Sequence, residues 1–220
     1  MGKKRAENEG QISKSRLGII LSGLMGFESP KVRAEQYTTE PEIAAEVLWN
    51  GLYLGDIRLK VSVDLGCGTG ILGIGALILG AKRVYFVEND DEALKIAKIN
   101  YEKAKSECSY IGEAVFLHMD IKDFDEKCDV VLENPPFGTK VRHADRVFLE
   151  KAVKLAPVVY SFHKSESEGF VKAFSRDSGY EVSHKWDFNF PLKQTMRFHK
   201  KRIQRIGVSC FRLEALSSRK

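Results

Sequence analysis

The residues of this chain best suited to chemistry are Asn134, Pro135, Pro136 and Phe137, which follow the apolar run Val130-Val131-Leu132 and Glu133. Two consecutive prolines leave the backbone few alternatives and would make this a rigid segment. Asn134 offers a neutral side-chain carbonyl, and the peptide carbonyl of Pro135 follows it. Two such acceptors converging on one NH2 group would hold both of its hydrogens and turn the nitrogen lone pair towards an electrophile. Phe137 could stack on the ring that bears the amine. The lone pair of an amine conjugated to an aromatic ring is delocalised, so positioning by neutral acceptors matters more than a strong general base. A plain strand followed by a Pro-Pro turn would account for the same residues. The stretch around Asp64 bears on the choice.

There, Val61-Ser62-Val63-Asp64-Leu65 reads as a buried strand and Gly66-Cys67-Gly68-Thr69-Gly70 as a tight turn before a helix reaching about Leu79. Glycines let a backbone approach a ligand closely and set a helix N-terminus against it. The spacing differs from the dinucleotide pattern G-x-G-x-x-G, and Asp64 at the strand end suits an ammonium better than a pyrophosphate. The next strand, 83–88, ends in Glu88, where an acid can take both hydroxyls of a ribose. A third strand at 114–117 is followed by His118-Met119-Asp120, and Asp120 could accept from an adenine amine.

These residues need a scaffold, and 220 residues with 43% hydrophobic content suffice for one core. The reading is an N-terminal extension over 1–35, a single domain over 36–216 and a short tail over 217–220. The extension carries Leu17, Ile20, Leu21, Leu24 and Met25 at helical spacing. Thr39 is a candidate cap and Pro41 a first-turn residue for a helix over 41–49, while Tyr37 and Trp49 read as core aromatics. Strands at 61–65, 83–88, 114–117, 128–132 and 158–162 alternate with helices at 70–79, 89–106, 145–155 and 165–179. Strands at 180–188 and 206–213 follow as an antiparallel hairpin. The expected fold is therefore α/β, a seven-stranded, mostly parallel, doubly wound sheet closed by a C-terminal hairpin. Its first and fourth strands should be neighbours, about 4.8 Å apart, bringing the glycine turn against Asn134 at the carboxyl ends of the strands.

A net charge of +5 suits a polyanionic partner without requiring one. Four cysteines without C-x-x-C spacing argue against a metal site and a disulfide frame and fit a cytoplasmic setting. The longest apolar run is too short to span a bilayer, and the charged start Met1-Gly2-Lys3-Lys4-Arg5 has no apolar core behind it. Lys193 to Arg202, with Phe198 embedded, reads as a basic loop that could hold RNA phosphates and stack a base, though most such runs are simply solvated faces. His163 and His199 could act as general bases, but neutral carbonyls suffice for the chemistry above. The strand 83–87 reads as an apolar sheet edge able to accept a neighbouring strand.

Asp64-Leu65-Gly66-Cys67-Gly68-Thr69-Gly70, Glu88, Asp120 and Asn134-Pro135-Pro136-Phe137 resemble the motifs of class I, Rossmann-like S-adenosylmethionine-dependent methyltransferases that act on exocyclic amines. The longer matches Glu35-Gln36-Tyr37, Asn134 to Lys140, Val159 to Lys164 and Phe198 to Lys201 resemble the methyltransferase-like protein 5 family in particular, and composition and brevity alone point to an archaeal-type member. That resemblance implies methylation of N6 of an adenosine in small-subunit ribosomal RNA, with a small activator protein as heterodimer partner. It implies cofactor contacts from Gln36, Thr39, Asp64, Gly66, Gly68, Glu88, Asp120 and Ile121. It places the flipped adenine against Asn134, Pro135, Pro136 and Phe137, and RNA against Lys140, His163, Lys164, Phe198, His199, Lys200 and Lys201. Thr38 stands where the family often has proline, and Glu88 where many relatives have aspartate. The alternatives are methylation of a protein glutamine amide or of DNA adenine, and a non-catalytic RNA-binding assembly factor.

Overall fold

The computed structural model describes residues 12–27, 39–136, 144–192 and 204–216. The chain runs α1 (Lys14–Ser22), α2 (Pro41–Tyr53), β1 (Val61–Leu65), α3 (Ile71–Ile78), β2 (Arg83–Glu88), α4 (Asp91–Glu107), β3 (Glu113–His118), β4 (Val130–Glu133), α5 (Ala144–Leu155), β5 (Val158–Lys164), α6 (Glu168–Asp177), β6 (Tyr180–Leu192) and β7 (Gln204–Ala215). The strands form one seven-stranded sheet in the order β3-β2-β1-β4-β5-β7-β6. β1 to β5 are parallel, and β7 runs antiparallel to both β5 and β6.

The expected α/β architecture and each of its seven strands are present, with the last two longer than their apolar patterns indicated. β1 and β4 are direct neighbours, Leu65 opposite Glu133, so the glycine turn and Asn134 leave the sheet side by side. One expectation is corrected: 83–87 is no edge, because β2 is paired with β1 on one side and β3 on the other. Among the described residues the sheet edges are β3 and β6.

Two apolar cores lie on the two faces of the sheet. Leu17, Ile20 and Leu21 of α1 are sealed in the first with α2, α3 and the outer hairpin. Val63, Leu65, Val131 and Phe211 meet α5 and α6 in the second. Beneath β5, Asp56 takes a two-pronged pair from Arg212 (Nε to Oδ2, 2.7 Å) and the Tyr160 hydroxyl (2.6 Å), locking the loop after α2 to β5 and β7. Burial and the hydrogen bond to Asp56 hold the Tyr160 phenol well above its usual range. Among the described residues no helix is long and apolar enough to cross a membrane, and no cluster of His, Cys, Asp and Glu could hold a metal.

Candidate active site

The crevice at the carboxyl ends of β1, β2 and β4 is built from the backbone outward. In the turn after β1, Gly66, Gly68 and Gly70 all have positive φ, a region that side-chain-bearing residues adopt only with strain. A Cβ on Gly66 would sit 2.8 Å from the Phe148 ring, and one on Gly68 would sit 3.1 Å from Phe27. Gly70 is the N-cap of α3 and has no side chain to serve it, so Asp64 does the capping from β1, its Oδ2 accepting the Gly73 N–H at 2.8 Å. Asp64 is only 2% exposed. Burial pushes its carboxyl up to about 7 against the opposing Gly73 hydrogen bond, with the Glu88 charge adding a further push.

Glu88 ends β2 and braces the turn. Its Oε2 accepts the Gly68 N–H at 2.8 Å, and its Oε1 accepts those of Asn89 (2.9 Å) and Asp90 (3.0 Å). Asp120 follows β3 and accepts the Lys122 N–H at 2.9 Å, which starts a single 3-10 turn in which Ile121 is buried. Asp64 and Glu88 therefore converge on the glycine turn, and Asp120 stands at the end of the next strand over.

One residue at this turn had no signal in the sequence pattern. Asn100, on α4, is fully buried; its Oδ1 accepts the Met25 N–H at 2.7 Å, and its Nδ2 donates to the carbonyls of Met25 and Thr69, both at 2.9 Å. It thereby fastens residues 25–27 beside the turn and sets Phe27 against Gly68. A lone polar residue within a helical pattern gives no hint of such a partner.

Asn134 leaves β4 next to this turn, and its Nδ2 donates to Thr39 Oγ1 at 3.0 Å. That orients the amide and leaves Asn134 Oδ1, itself buried, without a hydrogen-bond partner among the described residues. Thr39 is 3% exposed. It was expected as the cap of α2, but the N-cap is Glu40, which makes no side-chain cap bond, and the Thr39 hydroxyl is turned to Asn134 instead. Pro135 is buried and Pro136 half-buried. An orphaned buried carbonyl costs roughly 1–3 kcal/mol. An incoming N–H donor would recover that cost.

His163, expected to touch RNA, is 1% exposed and lies within hydrogen-bond distance of Ser161. Lys164 is at the end of β5, half-buried and 3.6 Å from Glu166. Gln36, Phe137, Lys140, Phe198, His199, Lys200 and Lys201 lie outside the described residues.

A model of the methyltransferase small domain family matches residues 39–158. Over 217 residues the chain is 36% identical to a protein of Methanocaldococcus jannaschii, a match covering 93% of this chain and 95% of that one. It is 33% identical over 203 residues to rRNA N(6)-adenosine-methyltransferase METTL5 of Danio rerio, covering 89% and 96%. A Pyrococcus horikoshii crystal structure, described as a candidate RNA methyltransferase, superposes with a TM-score of 0.83 at 40% identity, covering 93% of this chain and 98% of that one. The fold is the Rossmann-like methyltransferase fold that the motifs implied.

Proposed function

The chain belongs to the methyltransferase small domain family, and from that premise we propose that it is an S-adenosylmethionine-dependent adenine-N6 methyltransferase acting on small-subunit ribosomal RNA. The observation that carries this reading is the unpartnered, buried Oδ1 of Asn134 beside the glycine turn. The named METTL5 relatives support the nucleic-acid class and the N6 position.

The donor set fits the cofactor. Asp64 is a buried acid whose charged form is disfavoured, and an ammonium would relieve that cost. Gly66 and Gly68 present backbone without side chains. Glu88 would hold the ribose and Asp120 and Ile121 the base, and Gln36 and Thr39 are assigned to the cofactor as well. When bound, S-adenosylmethionine supplies an electrophilic methyl group. Asn134 Oδ1 then accepts one N6 hydrogen of the adenine and the Pro135 carbonyl the other, so that the lone pair faces the methyl donor. Phe137 stacks on the base, which must leave its helix to reach the crevice. Lys140, Lys164, Phe198, His199, Lys200 and Lys201 are assigned to the RNA. Lys200→Ala with Lys201→Ala is expected to weaken RNA binding and flatten its salt dependence.

We extend the reading to a small activator protein as partner, for which β3 and β6, the sheet edges among the described residues, offer places for an added strand. The deciding experiment incubates the chain, with and without such a partner, with methyl-labelled cofactor and small-subunit RNA, large-subunit RNA, DNA or a glutamine-containing release factor. N6-methyladenosine in small-subunit RNA is the expected product. Label in DNA or protein alone would replace the substrate, and no turnover with any of them would leave an RNA-binding assembly factor.

A further inference from the structure

The chemistry above uses one face of the end of β4; the other face carries a buried polar line that it leaves unexplained. Glu133, the residue before Asn134, is fully buried. Its Oε1 accepts the Ser161 hydroxyl at 2.7 Å, from the residue directly opposite on β5. The same Ser161 oxygen lies 2.7 Å from His163 Nε2, two residues further along the same face of β5. On its far side, His163 Nδ1 stands 3.9 Å from Asp145 Oδ2, in the first turn of α5. The line thus begins at the residue before Asn134 and ends at the start of the next helix.

The hydrogens along it can be assigned. Ser161 has one to give. If Glu133 is ionised, Ser161 donates to it and His163 Nε2 donates to Ser161; if Glu133 is neutral, its own O–H donates to Ser161, which donates on to His163 Nε2. Both arrangements satisfy the Glu133–Ser161 and Ser161–His163 links. Burial pushes the Glu133 carboxyl up to about 8 despite the Ser161 bond, with a further push from the Asp145 charge, so the neutral form is well populated near neutrality. Asp145 is held below its usual value chiefly by the His163 ring beside it, 3.9 Å away.

This is a poor way to stabilise a core. Glu133 Oε2 is buried with no partner among the described residues, and an apolar side chain of similar size would avoid that cost. Backbone pairing already joins β4 to β5 as far as Glu133 and Ser161 and stops there. Beyond that point Asn134 has left the sheet, and the polar line adds a side-chain tie from the residue before it to β5 and α5.

Resting on the methyltransferase reading, we propose that Glu133, Ser161 and His163 are positioning residues: together with Asp145 they fix the stem from which Asn134 projects, and so set the aim of its amide. The line trades stability for orientation. Removing a link should leave the cofactor pocket intact while spoiling alignment at the amine, and misalignments of an ångström can cost on the order of 100-fold in rate.

The test uses the full chain, methyl-labelled cofactor and small-subunit RNA, with kcat, cofactor affinity by calorimetry and thermal midpoint read for each variant. Glu133→Met is expected to melt at or above the wild-type temperature, to bind cofactor within about 2-fold, and to lose roughly 10-fold or more in kcat. Ser161→Ala, which leaves all charges in place, should lose kcat similarly. Glu133→Gln keeps the acceptor for Ser161 and mimics the neutral carboxyl, so its kcat should return to within about 3-fold of wild type. Unchanged kcat in both Glu133→Met and Ser161→Ala overturns the positioning role while the methyltransferase reading stands. A kcat loss that only tracks a lowered melting temperature also overturns it. A wild-type chain without turnover on RNA removes the reading and this inference with it.

Discussion

At the scale of single residues, the division of labour within the crevice is open to direct measurement. Asn134→Ala is expected to slow methyl transfer by at least ~100-fold, the cost of removing one positioned polar contact to a transition state. Calorimetry should show cofactor affinity preserved; a collapse of affinity would mean that Asn134 belongs to the cofactor pocket instead. Thr39→Val makes a finer cut. The valine keeps the shape but cannot receive the Asn134 amide, so the amide loses its fixed orientation. A loss of roughly 10-fold in kcat corresponds to one net hydrogen bond, and Thr39→Ser should restore it. Asp64 adds a pH dependence. With its carboxyl near 7 in the free chain, it is largely neutral below that pH and ionised above it. Affinity for a ligand bearing an ammonium should therefore rise as pH increases from 6 to 8, and Asp64→Asn should abolish both the affinity and the trend. The types and spacing of Asn134, Asp64 and Glu88 were readable from the sequence because each ends an apolar run. Asn100, Glu133 and Ser161 were not, since their partners lie far away in sequence and a single polar residue within an element leaves no periodic trace.

At the scale of elements, the turn between β1 and α3 is the most constrained piece of the fold. Gly66→Ala would place a Cβ 2.8 Å from Phe148 at a φ of +63°. The conformational strain alone is about 1–2 kcal/mol, and the contact displaces the Phe148 ring from the turn. The expected result is a lower melting temperature together with weakened cofactor binding, measurable in one thermal-shift series with and without cofactor. The Asp56–Arg212 pair supplies a contrasting case. Asp56→Ala strands a buried guanidinium and should destabilise the chain by about 3–5 kcal/mol. Because this pair lies beneath the sheet, away from the carboxyl ends of the strands, activity per folded molecule should survive. The parallel strands were legible as elements because burial on both faces writes continuous apolar runs. Which of them stood at the edge was not. β2 has half-buried side chains that resemble an edge strand, yet β3 covers it, and order within a sheet is a property of crossovers that no local pattern records.

At the scale of the whole molecule, two buried acids on opposite faces of the sheet give the fold a shared pH response. Asp64 rises from 3.8 to about 7 and Glu133 from 4.5 to about 8, chiefly through burial. Between the lower and upper values the unfolded chain has released these protons while the native chain still holds them. The native state binds more protons, so stability falls as pH rises through this window and levels off above about 8. Surface acids held low by hydrogen bonds to lysines, such as Asp91 and the half-buried Glu168, act in the opposite direction, but only as pH falls through their lowered values, and solvent screening keeps their contribution small. The expected melting temperature of the free chain therefore declines from pH 5 to pH 8 at fixed ionic strength. Glu133→Gln should remove one part of the decline and Asp64→Asn the other. Saturating cofactor should remove only the Asp64 part, since an ammonium beside that carboxylate favours its charged form and draws its titration back down. A slope that persists in the double variant would assign the response to other groups. A slope that cofactor leaves unchanged in wild type would separate Asp64 from the ammonium, and with it the cofactor pose on which the methyl transfer depends.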